Sequence, residues 1–249
     1  MGDDGRPWIV MELIQGGSLE DLLQREGRLP VARVSDLGVK ILDALIAARA
    51  AGVVHRDLKP ANILLEGERV VVTDFGIAAL EGDTRLTMSG AVLGTPTFMS
   101  PEQVSGLPAT PASDLWSLGA TLYTAVEGRP PFSGRILSSL FVAIATQDPA
   151  PPQHSGPLTA VLDGLLIKNP AERLTAETAR DRLRRLAGTS EPHSSAPVWP
   201  VDALEPATRL DTHEPASSGT PPAAGPSDGK TLALGGDDGI DFWDLCACR

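Results

Sequence analysis

The chain has 249 residues, of which 42% are apolar and 21% charged, a composition typical of a globular protein with a buried core. Acidic residues outnumber basic ones by 32 to 21, which gives a formal net charge of −11. Nucleic acids and anionic membranes attract clustered Lys and Arg, so a chain of this charge is expected to bind neither.

Cysteine content and hydropathy indicate the compartment. The two cysteines, Cys246 and Cys248, provide neither a disulfide framework nor a zinc site, as expected in the reducing cytoplasm. The residues after Met1 lack the basic and apolar regions of a signal peptide. The most apolar stretch, 39–54, contains Lys40, Asp43 and Arg49 and is too polar for a membrane helix. We therefore expect a cytoplasmic protein without a membrane segment.

In chain order, the first predicted element is a buried strand over 8–11. A short helix over 19–24 follows, with Ser18 as its N-cap. Apolar residues at helical spacing then predict a buried helix over 31–51.

The next elements are two short apolar runs, 63–65 and 70–73, which flank Glu66-Gly67-Glu68 and predict a hairpin. Beyond Pro111 the pattern becomes helical. The predicted helices there span 114–126, 136–146, 158–168 and 176–186. Residues 1–187 are thus expected to form one α+β domain, mostly helical with small β hairpins.

The last two segments differ from this domain. Residues 188–227 are rich in Pro, Ala, Ser and Thr without periodicity, which predicts a disordered linker. In 228–249, two apolar runs flank Gly235-Gly236-Asp237-Asp238-Gly239 and predict a hairpin. The closing Trp243-Asp244 resembles the end of a WD40 propeller repeat, although one incomplete repeat cannot close a ring. A lone hairpin or a frayed tail is the alternative.

One octapeptide, His55-Arg56-Asp57-Leu58-Lys59-Pro60-Ala61-Asn62, carries most of the chemistry. Phosphoryl transfer needs a proton acceptor for the attacking hydroxyl, ligands for the metal that neutralises the phosphates, and a cation on the transferred group. Asp57 can accept the proton, and Lys59 can hold the γ-phosphate. The amide oxygen of Asn62 is a hard ligand suited to Mg²⁺.

A second motif, Asp74-Phe75-Gly76, follows the apolar run 70–72. Alone it is a common turn, but at this spacing after the octapeptide it is specific. The two motifs together resemble the bacterial eukaryotic-like (Hanks-type) serine/threonine protein kinases, and the resemblance extends over 8–187. It implies Asp74 as a second Mg²⁺ ligand, Phe75 as a packing residue beneath the site and Gly76 as a flexible turn.

The resemblance also implies an activation segment that ends in Gly94-Thr95-Pro96 and Ser100-Pro101-Glu102, with Ser100 in place of the usual Ala. Thr95 would bridge Asp57 and Lys59, which indicates Ser or Thr substrates rather than Tyr. Arg56 would meet a phosphate on this segment. Thr87 and Ser89 are the candidate phosphosites, with ordinary solvated hydroxyls as the alternative.

Further residues are assigned by the same resemblance. Glu102 and Arg173 would form a buried ion pair, and Asp114 would brace the catalytic loop from below. The run 11–14 would be the hinge strand that pairs with adenine, with Met11 as gatekeeper. The residues implied to contact the nucleotide are Met11, Glu12, Leu13, Ser18, Leu64 and Asp74.

The features of an N-terminal lobe have no counterpart in the sequence. We find no Gly-rich loop, strand lysine or helix glutamate, and Gly16-Gly17 follows the hinge and cannot replace them. A C-terminal lobe without its N-lobe is therefore expected, with an exposed apolar face suited to self-association or to the missing lobe.

Two functional hypotheses follow. In the first, the protein is a kinase that uses ATP and Mg²⁺, with Mn²⁺ as an alternative, to phosphorylate Ser or Thr of protein substrates. In the second, the chain is an inactive kinase fragment that acts at most as a protein-binding module.

Overall fold

The computed structural model describes residues 8–75, 96–188 and 231–235, with side chains for 12–75 and 96–188. The chain divides into two compact units, Met1–Gln15 with Pro197–Arg249, and Gly16–Ala196. Each unit is described by itself below.

In the first unit, β1 (Trp8–Glu12) pairs antiparallel with β5 (Thr231–Gly235). Trp8 lies opposite Gly235 and Glu12 opposite Thr231. The strand predicted over 8–11 is confirmed, but its partner from the far end of the chain was not expected. The second arm of the predicted C-terminal hairpin and Trp243-Asp244 lie outside the described residues.

The second unit opens with a three-stranded antiparallel sheet in the order β2 (Gly17–Ser18), β3 (Ile63–Glu66) and β4 (Arg69–Val72). β3 and β4 form the hairpin that the sequence predicts, and Gly67 turns the chain with a φ of 58°. A Cβ at Gly16 would overlap the carbonyl of Leu65, so this glycine permits the close approach of β2 to β3.

Two helices come between β2 and β3. Helix α1 (Leu19–Glu26) begins in a capping box, because the Ser18 hydroxyl accepts from Asp21 N while the Asp21 carboxylate accepts from Ser18 N. Helix α2 (Val31–Ala50) buries one apolar face, as the predicted spacing requires. The buried apolar residues of that face are Val34, Leu37, Ile41, Leu42 and Leu45.

The remaining described elements of this unit are helical. They are α3 (Pro101–Val104), α4 (Pro111–Glu127), α5 (Leu137–Thr146), α6 (Thr159–Leu165) and α7 (Ala176–Ala187), with short 3₁₀ turns over Pro60–Asn62, Pro96–Phe98 and Gly156–Leu158. α4 is buried along nearly its whole length and packs against α2 and α6, while α7 packs against α2. The predicted mostly helical content with small antiparallel strands is confirmed.

Two helix boundaries differ from prediction by three residues, for local reasons. α4 begins at Pro111, three residues before the predicted start, because Thr110 and Ser113 form a capping box and Pro111 suits the first helical position. α6 ends at Leu165, three residues before the predicted end. The guanidinium of Arg173 donates to the carbonyls of Ile167 (2.9 Å) and Lys168 (3.1 Å) there. Among the described helices, none combines the length and apolar character needed to cross a bilayer.

Candidate active site

The predicted catalytic loop lies between α2 and β3, and a side chain on α4 fixes its backbone. The carboxylate of Asp114 on α4 accepts hydrogen bonds from His55 N (2.9 Å) and Arg56 N (2.8 Å). Burial raises the pKa of Asp114, whereas these two donors favour its ionised form. Arg56 has a φ of 74°, a left-handed conformation that costs a non-glycine residue about 1–3 kcal/mol. The loop geometry therefore depends on the contacts that hold Arg56.

His55 joins this loop to the segment after β4. Its buried imidazole lies with Nε2 2.8 Å from the carbonyl of Thr73, while Nδ1 accepts from Asp57 N at 3.3 Å. These partners assign the proton to Nε2, because a carbonyl can only accept. Burial lowers the pKa of His55, in agreement with a neutral ring. The ring of Phe75 packs on it at 4.7 Å between centroids.

Asp57 and Lys59 meet on the solvent side of the loop. Lys59 Nζ lies 2.7 Å from Asp57 Oδ2, and the side chains are 21% and 40% exposed respectively. The carboxylate can therefore reach a solvent-borne substrate while the ammonium stays beside it. This arrangement places a proton acceptor and a cation within one hydrogen bond of each other.

Asn62 lies beside Asp57, and the two ends of its side-chain amide have different environments. Nδ2 donates to the carbonyl of Asp57 at 2.9 Å, so Oδ1 is the end of the amide that could bind a metal. Thr73 N donates to the Asn62 carbonyl at 2.9 Å. Asp74, next in the chain, is exposed with a φ of 62°. The two predicted Mg²⁺ ligands are therefore on segments joined by a hydrogen bond.

Two oxygen ligands are too few to hold a metal ion by protein side chains alone, but they suit Mg²⁺. Within 12–75 and 96–188, no three His, Cys, Asp or Glu side chains form a metal-binding group. Mg²⁺ commonly takes one or two protein oxygens and completes its shell with water and substrate phosphates. Asn62 Oδ1 and the exposed Asp74 carboxylate are oxygens of that kind.

The predicted nucleotide contacts are divided between the two units. Ser18 and Leu64 lie opposite each other in the β2–β3 ladder. Leu64 is half-buried on the face opposite Ile63 and Leu65, while the Ser18 hydroxyl is engaged in the cap of α1. Met11, Glu12 and Leu13 belong to the first unit, where Leu13 is 51% exposed. Their contact with adenine stays a prediction.

Glu102 and Arg173 form a bidentate pair, with Nη1–Oε1 at 2.9 Å and Nη2–Oε2 at 3.0 Å. Both side chains are buried, and the Ser113 hydroxyl donates to Oε1 of Glu102 at 2.8 Å. Burial opposes ionisation of Glu102, but the bonds from Arg173 and Ser113 outweigh it and hold its pKa below the ordinary value. The pair ties α3 to the loop before α7.

The structure adds two residues that the sequence analysis did not single out. Gln103 Nε2 donates to the carbonyl of Arg56 at 2.8 Å, and the Ser117 hydroxyl donates to the carbonyl of Phe98 at 2.8 Å. A signal existed for Gln103, since Ser100-Pro101-Glu102-Gln103 is a capping-box pattern. The predicted Gly76, Thr87, Ser89 and Thr95 lie outside the described residues.

A proton acceptor, a neighbouring lysine and two oxygen ligands are the parts that phosphoryl transfer requires. Comparison with known proteins agrees, because the protein kinase domain family matches residues 1–182. The chain belongs to the protein kinase family.

Its relatives include serine/threonine-protein kinases of Corynebacterium, Streptomyces and Mycobacterium species. The chain is 39% identical over 212 residues to serine/threonine-protein kinases drp72 of Corynebacterium efficiens, covering 82% of this chain and 40% of the relative. It is 38% identical to serine/threonine-protein kinase PkaA of Streptomyces coelicolor, covering 91% and 43%. It is 41% identical to serine/threonine-protein kinase PknA of Mycobacterium tuberculosis, covering 70% and 41%. The chain thus spans about two fifths of the length of these relatives, and their names favour the kinase hypothesis over the binding module.

Proposed function

We propose that the protein transfers the γ-phosphate of ATP to Ser or Thr hydroxyls of protein substrates. The observation that carries the proposal is the Asp57–Lys59 pair, 2.7 Å apart and open to solvent. It lies on a loop whose backbone is braced by Asp114. Neither residue alone would distinguish a kinase from a surface ion pair. The kinase assignment is supported by the contact of Asn62 with the Asp57 backbone and by the hydrogen bond that joins Asn62 to the segment of Asp74.

The side chains divide the chemistry between them. The Asp57 carboxylate accepts the proton of the substrate hydroxyl as its oxygen attacks phosphorus. Lys59 stabilises negative charge on the transferred phosphoryl group and orients Asp57 through their shared contact. Asn62 and Asp74 would hold Mg²⁺, or Mn²⁺ in its place, and the bound metal neutralises charge on the phosphates. Asn62 also fixes the backbone of Asp57 through the bond from Nδ2.

Three finer assignments stay proposals supported by this geometry or by the family. The Arg56 Nε is buried without a hydrogen-bond partner in the described part of the chain, which supports an anionic partner such as phosphorylated Thr87 or Ser89. Thr95 would bridge Asp57 and Lys59. Met11, Glu12, Leu13 and Leu64 would contact the adenine.

The helical second unit would be the C-terminal lobe of a kinase, which its mostly helical elements support. The absence of an N-lobe, self-association, the linker over 188–227, the WD40-like segment 228–249 and the cytoplasmic location stay predictions. The protein substrate is defined only by its acceptor hydroxyl.

The test is phosphate transfer from radiolabelled ATP to casein or myelin basic protein, with Asp57→Asn as the diagnostic variant. We expect incorporation into Ser and Thr but not Tyr, and a loss of about 100-fold or more in Asp57→Asn, since general-base catalysis contributes about that much. Asp36→Asn is the matched control, because Asp36 forms an ion pair with Lys40 on the surface of α2. Equal transfer by wild type and Asp57→Asn, or no transfer by the wild type, would overturn the proposal.

A further inference from the structure

The backbone next to Asp57 is held from two sides. Arg56 N–H donates to Asp114 Oδ1 at 2.8 Å, and the Arg56 carbonyl accepts from Gln103 Nε2 at 2.8 Å. Arg56 needs such restraint, because its φ of 74° is a conformation that a free arginine rarely adopts. Asp114 secures the N–H, and Gln103 is the side chain that secures the carbonyl.

The orientation of the Gln103 amide follows from its partners. Oε1 accepts from both Ser100 N and Ser100 Oγ at 3.0 Å, and a backbone N–H can only donate. Nε2 must therefore face the Arg56 carbonyl, which can only accept. One amide thus completes the capping box of α3 and also binds the catalytic loop 47 residues earlier in the chain.

The turn that precedes α3 is also held in place. The 3₁₀ turn Pro96–Phe98 is held to α4 by the bond from Ser117 Oγ to the Phe98 carbonyl. Ser100, the N-cap of α3, is fully buried two residues later. Gln103 therefore connects the end of the predicted activation segment with the residue beside Asp57.

We infer that Gln103 is a positioning residue for Asp57. Its donor keeps Arg56 in the left-handed conformation, and this conformation aims the Asp57 carboxylate beside Lys59. The role rests on the proposed function, because aiming Asp57 matters only if Asp57 takes a substrate proton. It adds a structural requirement to that function, because the geometry of the proton acceptor then depends on the position of α3.

Two substitutions separate this role from helix capping. Gln103→Glu keeps an acceptor for Ser100 N, so the capping box persists, but a carboxylate cannot donate to the Arg56 carbonyl. Ser100→Ala removes the cap hydroxyl, while Ser100 N still orients the Gln103 amide. Gln103→Met, which is uncharged and similar in length, shows whether any loss in Gln103→Glu comes from the new charge.

Steady-state phosphotransfer and hydrogen exchange of the catalytic loop test the inference. In Gln103→Glu and Gln103→Met we expect kcat to fall about five- to tenfold, the size of one lost hydrogen bond, with the KM for ATP within about twofold. In Ser100→Ala we expect the thermal midpoint to fall with kcat within about twofold. Unchanged kcat in Gln103→Glu, or equal losses of kcat in Gln103→Glu and Ser100→Ala, would overturn the inference.

Hydrogen exchange separates failure of this inference from failure of the proposed function. The Arg56 and Asp57 amides should exchange about tenfold faster in Gln103→Glu than in the wild type, whether or not the wild type transfers phosphate. If the wild type is inactive but this acceleration occurs, the proposed function fails and the positioning contact stands. If exchange over 54–58 is unchanged by Gln103→Glu, the positioning role is wrong.

Discussion

Asn62 holds the Asp57 backbone and is also proposed to bind Mg²⁺, so it is a sensitive test of the proposed metal site. Its amide nitrogen donates to the Asp57 carbonyl, and its amide oxygen is the proposed ligand. In Asn62→Ala we expect the Mg²⁺ concentration for half-maximal phosphotransfer to rise about tenfold or more, because one of few protein ligands is lost. Asn169→Ala is the matched control, since the Asn169 side chain hydrogen-bonds within the surface turn before α7. A Mg²⁺ dependence identical to wild type would exclude Asn62 as a ligand.

Lys168 leads to a second prediction for a single residue, which concerns stability and not catalysis. Its Nζ donates to the Ile144 carbonyl at 2.7 Å and lies 4.0 Å from the ring centroid of Phe132 and 4.7 Å from that of Trp116. Burial lowers its pKa to about 8, with Asp148 opposing the shift and Arg173 adding to it. An unfolded lysine keeps a pKa of about 10.4.

Between those two pKa values the unfolded chain binds more protons than the folded one, so stability must increase with pH. We expect the contribution of Lys168 to the free energy of unfolding to rise from pH 8 toward pH 10. Urea unfolding of the wild type and Lys168→Met at pH 7.5, 8.5 and 9.5 measures it, since other titrating groups cancel in the difference. Parallel pH curves for the two proteins would show that Lys168 keeps an ordinary pKa.

At the scale of elements, the Glu102–Arg173 pair connects α3 with the segment before α7. Removing one partner leaves a buried charge, so Arg173→Met should lower the free energy of unfolding by about 3–5 kcal/mol. Arg180→Met provides the comparison, because Arg180 pairs with Asp43 at the surface and such pairs contribute about 0–1 kcal/mol. Chemical denaturation of both variants measures the difference. A similar small loss in both would mean that the buried pair contributes no more than a surface one.

The same elements show which structural features can be predicted from sequence. The cap of α1, the buried face of α2 and the β3–β4 hairpin depend on neighbours within a few residues, and their residue patterns predict them. The end of α6 could not be predicted, because it coincides with the guanidinium of Arg173, which Glu102 on α3 holds in place. Likewise, the spacing of the octapeptide predicts Asp57, Lys59 and Asn62, whereas the contact from Gln103 to Arg56 depends on tertiary packing.

For the whole molecule, the predicted boundary at residue 187 has a direct consequence for stability. α7 is the last described helix of the second unit, and its Ala179 and Leu183 are fully buried. A Cβ at Gly38 on α2 would lie 2.8 Å from Leu183 Cδ1, so the two helices pack closely. The core therefore needs α7, and no described core residue of this unit follows Leu183.

We expect a chain that ends at Gly188 to unfold within a few degrees of the thermal midpoint of the full chain, since a loss of about 1 kcal/mol shifts that midpoint by about 2–4 °C at this size. A chain that ends at Thr175 lacks α7 and exposes its binding face on α2, so it should lose cooperative unfolding. Calorimetry of the three proteins distinguishes these outcomes. Loss of the cooperative transition in the Gly188 chain as well would place part of the folding unit beyond residue 188. The prediction that residues 188–227 form a linker would then be wrong.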